Sequence, residues 1–303
     1  MLDLQFLIIL LFSPLLQGII KKIKAWSQGR VGAGVLQPYW DLVRLFRKDM
    51  VISKTASWVF HAAPFITFLS VLAASMMVPV ISVKGTIFGM GDIIALLYTL
   101  ALGRFFMVLA GLDAGTAFGG EGSSREATVA ILVEPMMMLA IFSTAIAGGS
   151  TSLSKLALSV DIFHSPAHVL ALAAFFVALI AETGRIPVDN PDTHLELTMI
   201  HEGMLLEYSG RYLALMEWAH YMKQMLLFTV AIDLFFSYGI AGGGHGFAAL
   251  SPLYYALKLL FLAAAMAVAE SSRAKLRFFQ LPSLLGGAFV LSLLSIITVI
   301  MLG

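Results

Sequence analysis

Long apolar runs are the feature that most constrains how this chain can fold. Stretches of mostly apolar residues recur from one end of the chain to the other, and each approaches the roughly 20 residues that a helix needs to cross a bilayer. A helix satisfies its own backbone hydrogen bonds, which lipid cannot do for it. Only 12% of the 303 residues are charged. The sequence therefore predicts an all-α integral membrane protein.

About eight apolar segments have the character of transmembrane helices. They cover approximately residues 2–20, 63–83, 92–112, 128–147, 167–181, 217–238, 253–270 and 284–302. Nothing near the first segment resembles a cleavage site, so we expect it to be retained. Ser165 and Pro166 are expected to open the fifth helix. We interpret residues 1–303 as a single transmembrane domain.

The basic residues predict the orientation of the chain. Fourteen lysines and arginines lie in four connections on one side, against Lys84 and Lys155 on the other. Basic loops are retained in the cytoplasm, so both termini are expected on the outer side. The predicted cytoplasmic loops are residues 21–62, 113–127, 182–216 and 271–283.

The first cytoplasmic loop contains a short amphipathic segment. After Pro38, the apolar residues of LVRLF and the charged residues Asp41, Arg44, Arg47 and Lys48 fall at helical spacing on opposite sides. We expect a short amphipathic helix here, and two interpretations of it stay open. It either anchors the loop at the membrane interface or offers a docking surface to a partner.

Residues 182–211 concentrate ionisable side chains between two apolar runs. The carboxylates are Glu182, Asp189, Asp192, Glu196, Glu202 and Glu207. Charge is costly at the edge of a bilayer, so such a cluster is a functional-site hypothesis. Neighbouring carboxylates raise one another's pKa, which would let some exchange protons near neutral pH. The alternative is a solvated loop. Asn190 and Pro191 predict a helix start within it.

Charged residues also lie inside the predicted transmembrane helices. Arg104 must find a partner or a water-filled pocket at its depth, and Glu134 precedes the helix-loosening Pro135. We expect Glu134 either to pair with Arg104 or to handle protons, and the two roles are compatible. The further candidates for a proton or charge relay are Glu126, Asp113, Lys223, Asp233 and Lys258.

Redox and metal chemistry are not expected in the chain itself. The sequence has no cysteine and therefore no thiolate for an iron–sulfur cluster. His194 and His201 lie seven residues apart without a third ligand at a recognisable spacing, so no metal site is predicted. The net charge of +1 gives no reason to expect nucleic acid.

Three segments resemble a known family. They are GRVGAGVLQPYWDLVRLF, the stretch from Ser124-Arg125-Glu126 to Val133-Glu134-Pro135, and AETGRIPVDNP followed by LEYSG. Together they resemble the membrane-anchor subunit of respiratory complex I (subunit 1, the quinone-chamber subunit) and its relatives in membrane-bound nickel–iron hydrogenases and formate hydrogenlyase. The resemblance covers nearly the whole chain.

Departures from the complex I pattern favour the hydrogenase branch. Quinone-reducing members typically read AETNR-x-PFDLPEAE, where this chain has Gly184 in place of the asparagine and DNPDTHLELTMIHE further on. Ser27-Gln28-Gly29-Arg30 replaces a glycine, proline, asparagine, arginine run. The alternatives are a quinone-chamber subunit and, in a different class, a stand-alone ion transporter.

The resemblance implies a role in a multi-subunit complex of a prokaryotic cytoplasmic membrane. The expected partners are large and small hydrogenase-like catalytic subunits, an iron–sulfur subunit and antiporter-like membrane subunits. The partners would carry the iron–sulfur clusters and nickel–iron site, or bind quinone in the alternative. The residues implied in docking the redox arm are Arg30, Gln37, Asp41, Arg44, Arg125, Arg185, Tyr208 and Arg211.

Overall fold

A computed structural model describes residues 5–53, 55–83, 91–159, 165–189, 199–236 and 250–302. Eleven α-helices form within these ranges, and an isolated bridge joins Asp92 to Ser152. The helices are α1 (Phe6–Ser27), α2 (Gln37–Arg47), α3 (Trp58–Ser75), α4 (Ile93–Asp113), α5 (Ala117–Gly148), α6 (Leu153–Ser159), α7 (Pro166–Glu182), α8 (His201–Leu205), α9 (Gly210–Phe235), α10 (Ser251–Ser272) and α11 (Leu281–Leu302). The all-α prediction is confirmed over this part of the chain.

Six described helical segments are long and apolar enough to cross a membrane. They are α1, α3, α4, α5, α10 and the segment Phe278–Met301, which joins a 3₁₀ turn to α11. Helix α7 is apolar but has only 17 residues. Helix α9 has 26 residues and carries several charges. The chain is thus a multi-pass membrane protein.

Helix α9 lies at the centre of the bundle. It packs against α1, α2, α3 and α10, and apart from Lys223 its residues from Met222 to Phe235 are buried. A helix that is apolar all round is stable only when neighbours cover every face. On the other side of the molecule, α11 packs against α5 and α7, and α3 packs along α4.

Side-chain caps fix several helix starts. Ser165 accepts a hydrogen bond from the backbone N–H of Ala167, and Pro166 takes the first helical position of α7. This confirms the predicted start of that helix. Asp92 caps α4 through the N–H of Ile94 in the same way.

Helix α5 begins earlier than its apolar pattern suggests. Thr116 accepts from the N–H of Gly119, and the helix runs for 32 residues from Ala117. Residues 117–127 of the predicted second loop are therefore helical. Packing against α8 compensates for the low helix propensity of the glycines in this stretch.

The amphipathic helix of the first loop is confirmed as α2. Pro38 and Leu42 face the protein, and the Tyr39 hydroxyl donates to the carbonyl oxygen of Leu11 at 2.5 Å. Helix α2 packs against α9 and α1. The predicted helix start at Asn190 lies outside the described residues.

Candidate functional site

Arg104 is buried and lies at the centre of an ion-pair cluster. Its Nη1 lies 2.7 Å from Glu134 Oε1 on α5, which confirms the predicted pair. Its Nη2 contacts Glu182 at the end of α7, and its Nε lies 3.8 Å from Glu126 Oε1. One guanidinium on α4 thus faces carboxylates from two other helices.

Lys223 brings a second cation to this site. Its Nζ on α9 lies 2.9 Å from Glu182 Oε1. We call Arg104, Glu126, Glu134, Glu182 and Lys223 the central cluster. With all five ionised, two positive and three negative charges leave one net negative charge. Each of the three carboxylates faces at least one of the two cations.

A second buried network was not predicted from the sequence. Glu270, at the end of α10, lies 3.1 Å from Lys24 Nζ and 3.2 Å from Arg185 Nη1. Arg185 also donates to Gln17 on α1 and, at 2.8 Å, to Gln224 on α9. The side chains of Arg185 and Glu270 are only 2% and 0% exposed. Arg185 therefore holds the interior together, which corrects its assignment to a docking surface.

Asp189 joins the acidic segment to the last loop. Its Oδ1 lies 2.7 Å from Lys275 Nζ. Its Oδ2 accepts from the backbone N–H groups of Ile200 and His201, each at 3.2 Å. The carboxylate thereby fixes both ends of the stretch that contains Asp192 and Glu196, which lie outside the described residues.

Asp113 and Tyr208 serve internal contacts. Asp113 accepts from the N–H groups of Ser57 and Phe60, at 2.8 and 3.3 Å, at the start of α3. Tyr208 stacks on Phe60 with ring centroids 4.1 Å apart and donates to its carbonyl oxygen. Burial raises the pKa of Tyr208. Its burial corrects the prediction that Tyr208 contacts the redox arm.

Asp233 and Lys258 lie apart from the central cluster. Ten residues of α9 separate Lys223 from Asp233, or roughly 15 Å along a helix. Asp233 is fully buried, and within the described residues neither of its carboxylate oxygens has a hydrogen-bond partner. The Lys258 ammonium donates to the carbonyl oxygen of Phe236.

Most predicted docking residues lie at the surface near α2 and the start of α9. Arg30, Arg44 and Arg211 are exposed. Gln37 and Arg44 both contact Asp41, at 2.9 and 3.8 Å. Arg125 is half-buried and donates to the carbonyl oxygen of Met199, and Glu207 is half-buried as well.

Two histidines lie in contact between the central cluster and α2, with their rings tilted at 41° to each other. The rings of His201 on α8 and His220 on α9 have centroids 4.6 Å apart. Burial lowers the pKa of His201. Glu202, from the acidic segment, lines an adjacent cavity of ≈ 270 Å³ together with His220. Sequence reasoning missed His220, because a histidine in an apolar helix carries no local signal of its neighbours.

No cluster of three or more histidine, aspartate or glutamate side chains positioned to hold a metal occurs among the described residues. What the site offers is a set of mutually paired ionisable groups around the buried Arg104 and Glu182. Such groups within a membrane protein are suited to moving protons or charge.

The family described as NADH dehydrogenase matches residues 2–302. The chain belongs to this family. Two relatives in the family come from Escherichia coli strain K12. Hydrogenase-4 component C is 36% identical over 90% of this chain and 87% of its own length. Formate hydrogenlyase subunit 4 is 33% identical over 98% of this chain and 97% of its own.

The NADH dehydrogenase family also includes quinone-reductase subunits. An NADH-quinone oxidoreductase subunit of Rubrobacter xylanophilus is 31% identical over 71% of this chain and 67% of its own length. A chain in the structure of the membrane-bound sulfane sulfur reductase, an archaeal respiratory membrane complex, superposes with a TM-score of 0.83. It covers 98% of both chains at 19% identity, so this likeness concerns the fold.

Proposed function

We propose that this chain is the membrane-anchor and coupling subunit of an energy-converting membrane-bound nickel–iron hydrogenase complex. It docks a redox arm of hydrogenase-like large and small subunits and an iron–sulfur subunit in the cytoplasmic membrane of a prokaryote. It links electron transfer there to proton or sodium translocation through antiporter-like membrane subunits. The central cluster carries the proposal, because it joins ionisable groups of α4, α5, α7 and α9 in one connected set around the buried Arg104 and Glu182.

The relatives support the hydrogenase branch. The two hydrogenase-complex relatives align over more of this chain, and at higher identity, than the quinone oxidoreductase relative. Their names supply the class of complex, and the lack of cysteine in this chain assigns the redox centres to the partners.

Coupling in this proposal begins at the acidic segment. Electron transfer in the docked arm changes the charge near Glu202 and Glu207 and, in the undescribed stretch, near Asp192 and Glu196. Asp189 transmits the change, since it holds the backbone of Ile200 and His201 on one side and Lys275 on the other. Glu182 stands seven residues before Asp189 and belongs to the central cluster.

From the central cluster the charge passes to the later helices. A proton gained there cancels its single excess negative charge, which weakens the hold of Arg104 and Lys223 on the carboxylates. Lys223 then acts on Asp233 and Lys258 further along α9 and α10. The docking surface comprises Arg30, Gln37, Asp41, Arg44, Arg125 and Arg211.

Two substitutions test this role. We expect Glu134→Gln and Glu202→Gln to leave the complex assembled but to reduce ion translocation per electron to a small fraction of the wild-type value. Each removes a titratable carboxyl while keeping nearly the same shape. The measurement is acidification or sodium uptake in inverted membrane vesicles, normalised to the redox rate.

Glu121→Gln is the matched control. Glu121 also lies on α5, but it is outside the central cluster, and among the described residues its ion pair is with Arg125 four residues on. It should couple as the wild type does. Normal translocation in both Glu134→Gln and Glu202→Gln would defeat the coupling role.

A quinone-chamber subunit of an NADH:quinone-type oxidoreductase is the second candidate. The cavity of ≈ 270 Å³ between α1, α2 and α9 favours it, since it approaches the size of small-molecule sites. Its lining includes Lys21, Asp41, Glu202 and Glu217, and such a charged wall suits water better than an isoprenoid tail. Quinone-dependent activity that quinone-site inhibitors block would support this candidate.

A further inference from the structure

Three cavities follow one another from the side of α2 into the bundle. The outer cavity, of ≈ 270 Å³, lies between α1, α2 and α9. The inner cavity, of ≈ 30 Å³, lies beside Glu126 and Lys223. The third cavity, of ≈ 60 Å³, lies beside Glu134 and Glu182.

Each cavity is large enough for water. A single water needs roughly 10–15 Å³ of such space and at least two polar partners. The inner cavity meets both conditions, because Arg104, Glu126 and His201 line it in addition to Lys223. The three cavities are therefore expected to hold separate groups of water molecules.

Particular side chains separate these groups of water. Among the described residues, His220 is the one that lines both the outer and the inner cavity. Arg104 and Leu100 line both the inner and the third cavity. Arg104 does not lose its proton in proteins, whereas an imidazole near neutral pH both accepts and releases one. A proton that passes from the outer to the inner cavity thus passes His220.

Charged groups of both signs surround His220. The ring of His201 is tilted against it, with the two centroids 4.6 Å apart, and lines the inner cavity. The cations near the two rings are Lys21, Arg104, Arg185 and Lys223, and the carboxylates are Asp41, Glu126, Asp189, Glu202 and Glu217.

We propose that His220 is the proton-transfer residue between the outer cavity and the central cluster, with His201 as its neighbour in the inner cavity. Neutral His220 takes a proton from outer-cavity water onto one ring nitrogen. It releases the proton held by its other nitrogen to inner-cavity water, and so returns to the neutral form as the other tautomer. Rotation of the ring restores the starting state. This deepens the coupling role proposed above and rests on it.

His220→Gln in the complete complex is the test. Glutamine keeps hydrogen-bonding groups but cannot carry a proton between two ring nitrogens. In inverted membrane vesicles we expect the number of protons translocated per electron to fall roughly ten-fold. This is less than the roughly 10²–10⁴-fold that a positioned proton-transfer group contributes to a reaction rate. Added imidazole should restore much of the loss, which a purely structural defect would not allow.

His168→Gln is the matched control. His168 is a buried histidine of α7 that lines none of the three cavities. The same substitution there should leave proton coupling at the wild-type value and insensitive to imidazole. If the complex with His220→Gln does not assemble, His220→Asn tests the same loss of proton transfer with a smaller side chain.

The outcomes separate this inference from the proposed function. Normal coupling in His220→Gln, with coupling lost in Glu134→Gln, would overturn the role of His220 and leave the coupling role of the chain intact. A loss in His220→Gln that imidazole does not relieve would also overturn it. Normal coupling in Glu134→Gln and Glu202→Gln would instead remove the proposed function itself.

Discussion

The pair of Arg185 and Glu270 is the clearest case in which single residues bear on stability. Both are buried, and the side-chain amides of Gln17 and Gln224 accept hydrogen bonds from Nη2 of the arginine. Removal of one partner from a buried ion pair costs about 3–5 kcal/mol, because the remaining charge is left uncompensated. Lys24 still faces Glu270 when Arg185 is lost, so the low end of that range applies.

We therefore expect Arg185→Met to lower the free energy of unfolding by about 3 kcal/mol. Thermal unfolding of the detergent-solubilised complex would measure it as a lower melting temperature. Arg211→Met, at an exposed position, should shift the melting temperature little. Equal shifts in the two variants would contradict the structural role assigned to Arg185.

At the residue scale, prediction from the sequence succeeded where the depth of a charged residue within an apolar helix determines whether it is paired. A charge in the middle of an apolar helix must be paired, and this predicted the contact of Arg104 with Glu134. Nothing local distinguished Arg185 from a surface arginine, because its partners come from helices distant in the sequence. Glu270 was overlooked because it sits at a helix end, where glutamates commonly reach solvent.

At the scale of elements, small residues let α5 and α8 approach closely. A Cβ built at Gly122 would lie 2.9 Å from the carbonyl oxygen of Ile200 and 3.1 Å from backbone atoms of Gly203 and Met204. Backbone atoms cannot yield as a flexible side chain does. The contact thus holds α8, and with it His201, against the helix that carries Glu126 and Glu134.

We expect Gly122→Ala to displace α8 from α5. Hydrogen–deuterium exchange at the backbone amides of His201–Leu205 should speed up about ten-fold or more, which corresponds to roughly 1.4 kcal/mol of lost local protection. Gly120→Ala is the control, since a Cβ there meets nothing within 4 Å. Unchanged exchange in the Gly122 variant would mean that this contact does not hold α8.

The positions of the long helices were largely predictable from the pattern of apolar residues. Length and apolarity located the long segments, and serine–proline chemistry located the start of α7. The early start of α5 was not predictable, because glycines that normally weaken a helix are accommodated here by tertiary contact with α8.

At the scale of the whole molecule, the number of membrane crossings determines the side of the membrane on which each loop lies. If α7 and α9 cross together with the six longer apolar segments, the chain has eight spans, and Arg211 lies on the cytoplasmic side with Arg44. If neither crosses, Arg211 lies outside with Thr151. The chain has no cysteine, so single-cysteine variants report accessibility without background.

We expect Arg44→Cys and Arg211→Cys to be protected from an impermeant thiol reagent in intact cells, and Thr151→Cys to be labelled. Inverted vesicles should show the opposite pattern. Labelling of Arg211→Cys from outside would refute the eight-span topology and would place the acidic segment away from the proposed redox arm.

The most direct test of the proposed function is to purify this chain in mild detergent with its partners and identify them by mass spectrometry. We expect a large catalytic subunit with two CxxC pairs, which supply the four thiolates of a nickel–iron site, and the isolated complex should evolve hydrogen. A homologous large subunit without those cysteines, or a chain that purifies alone and monodisperse, would contradict its assignment to a hydrogenase complex.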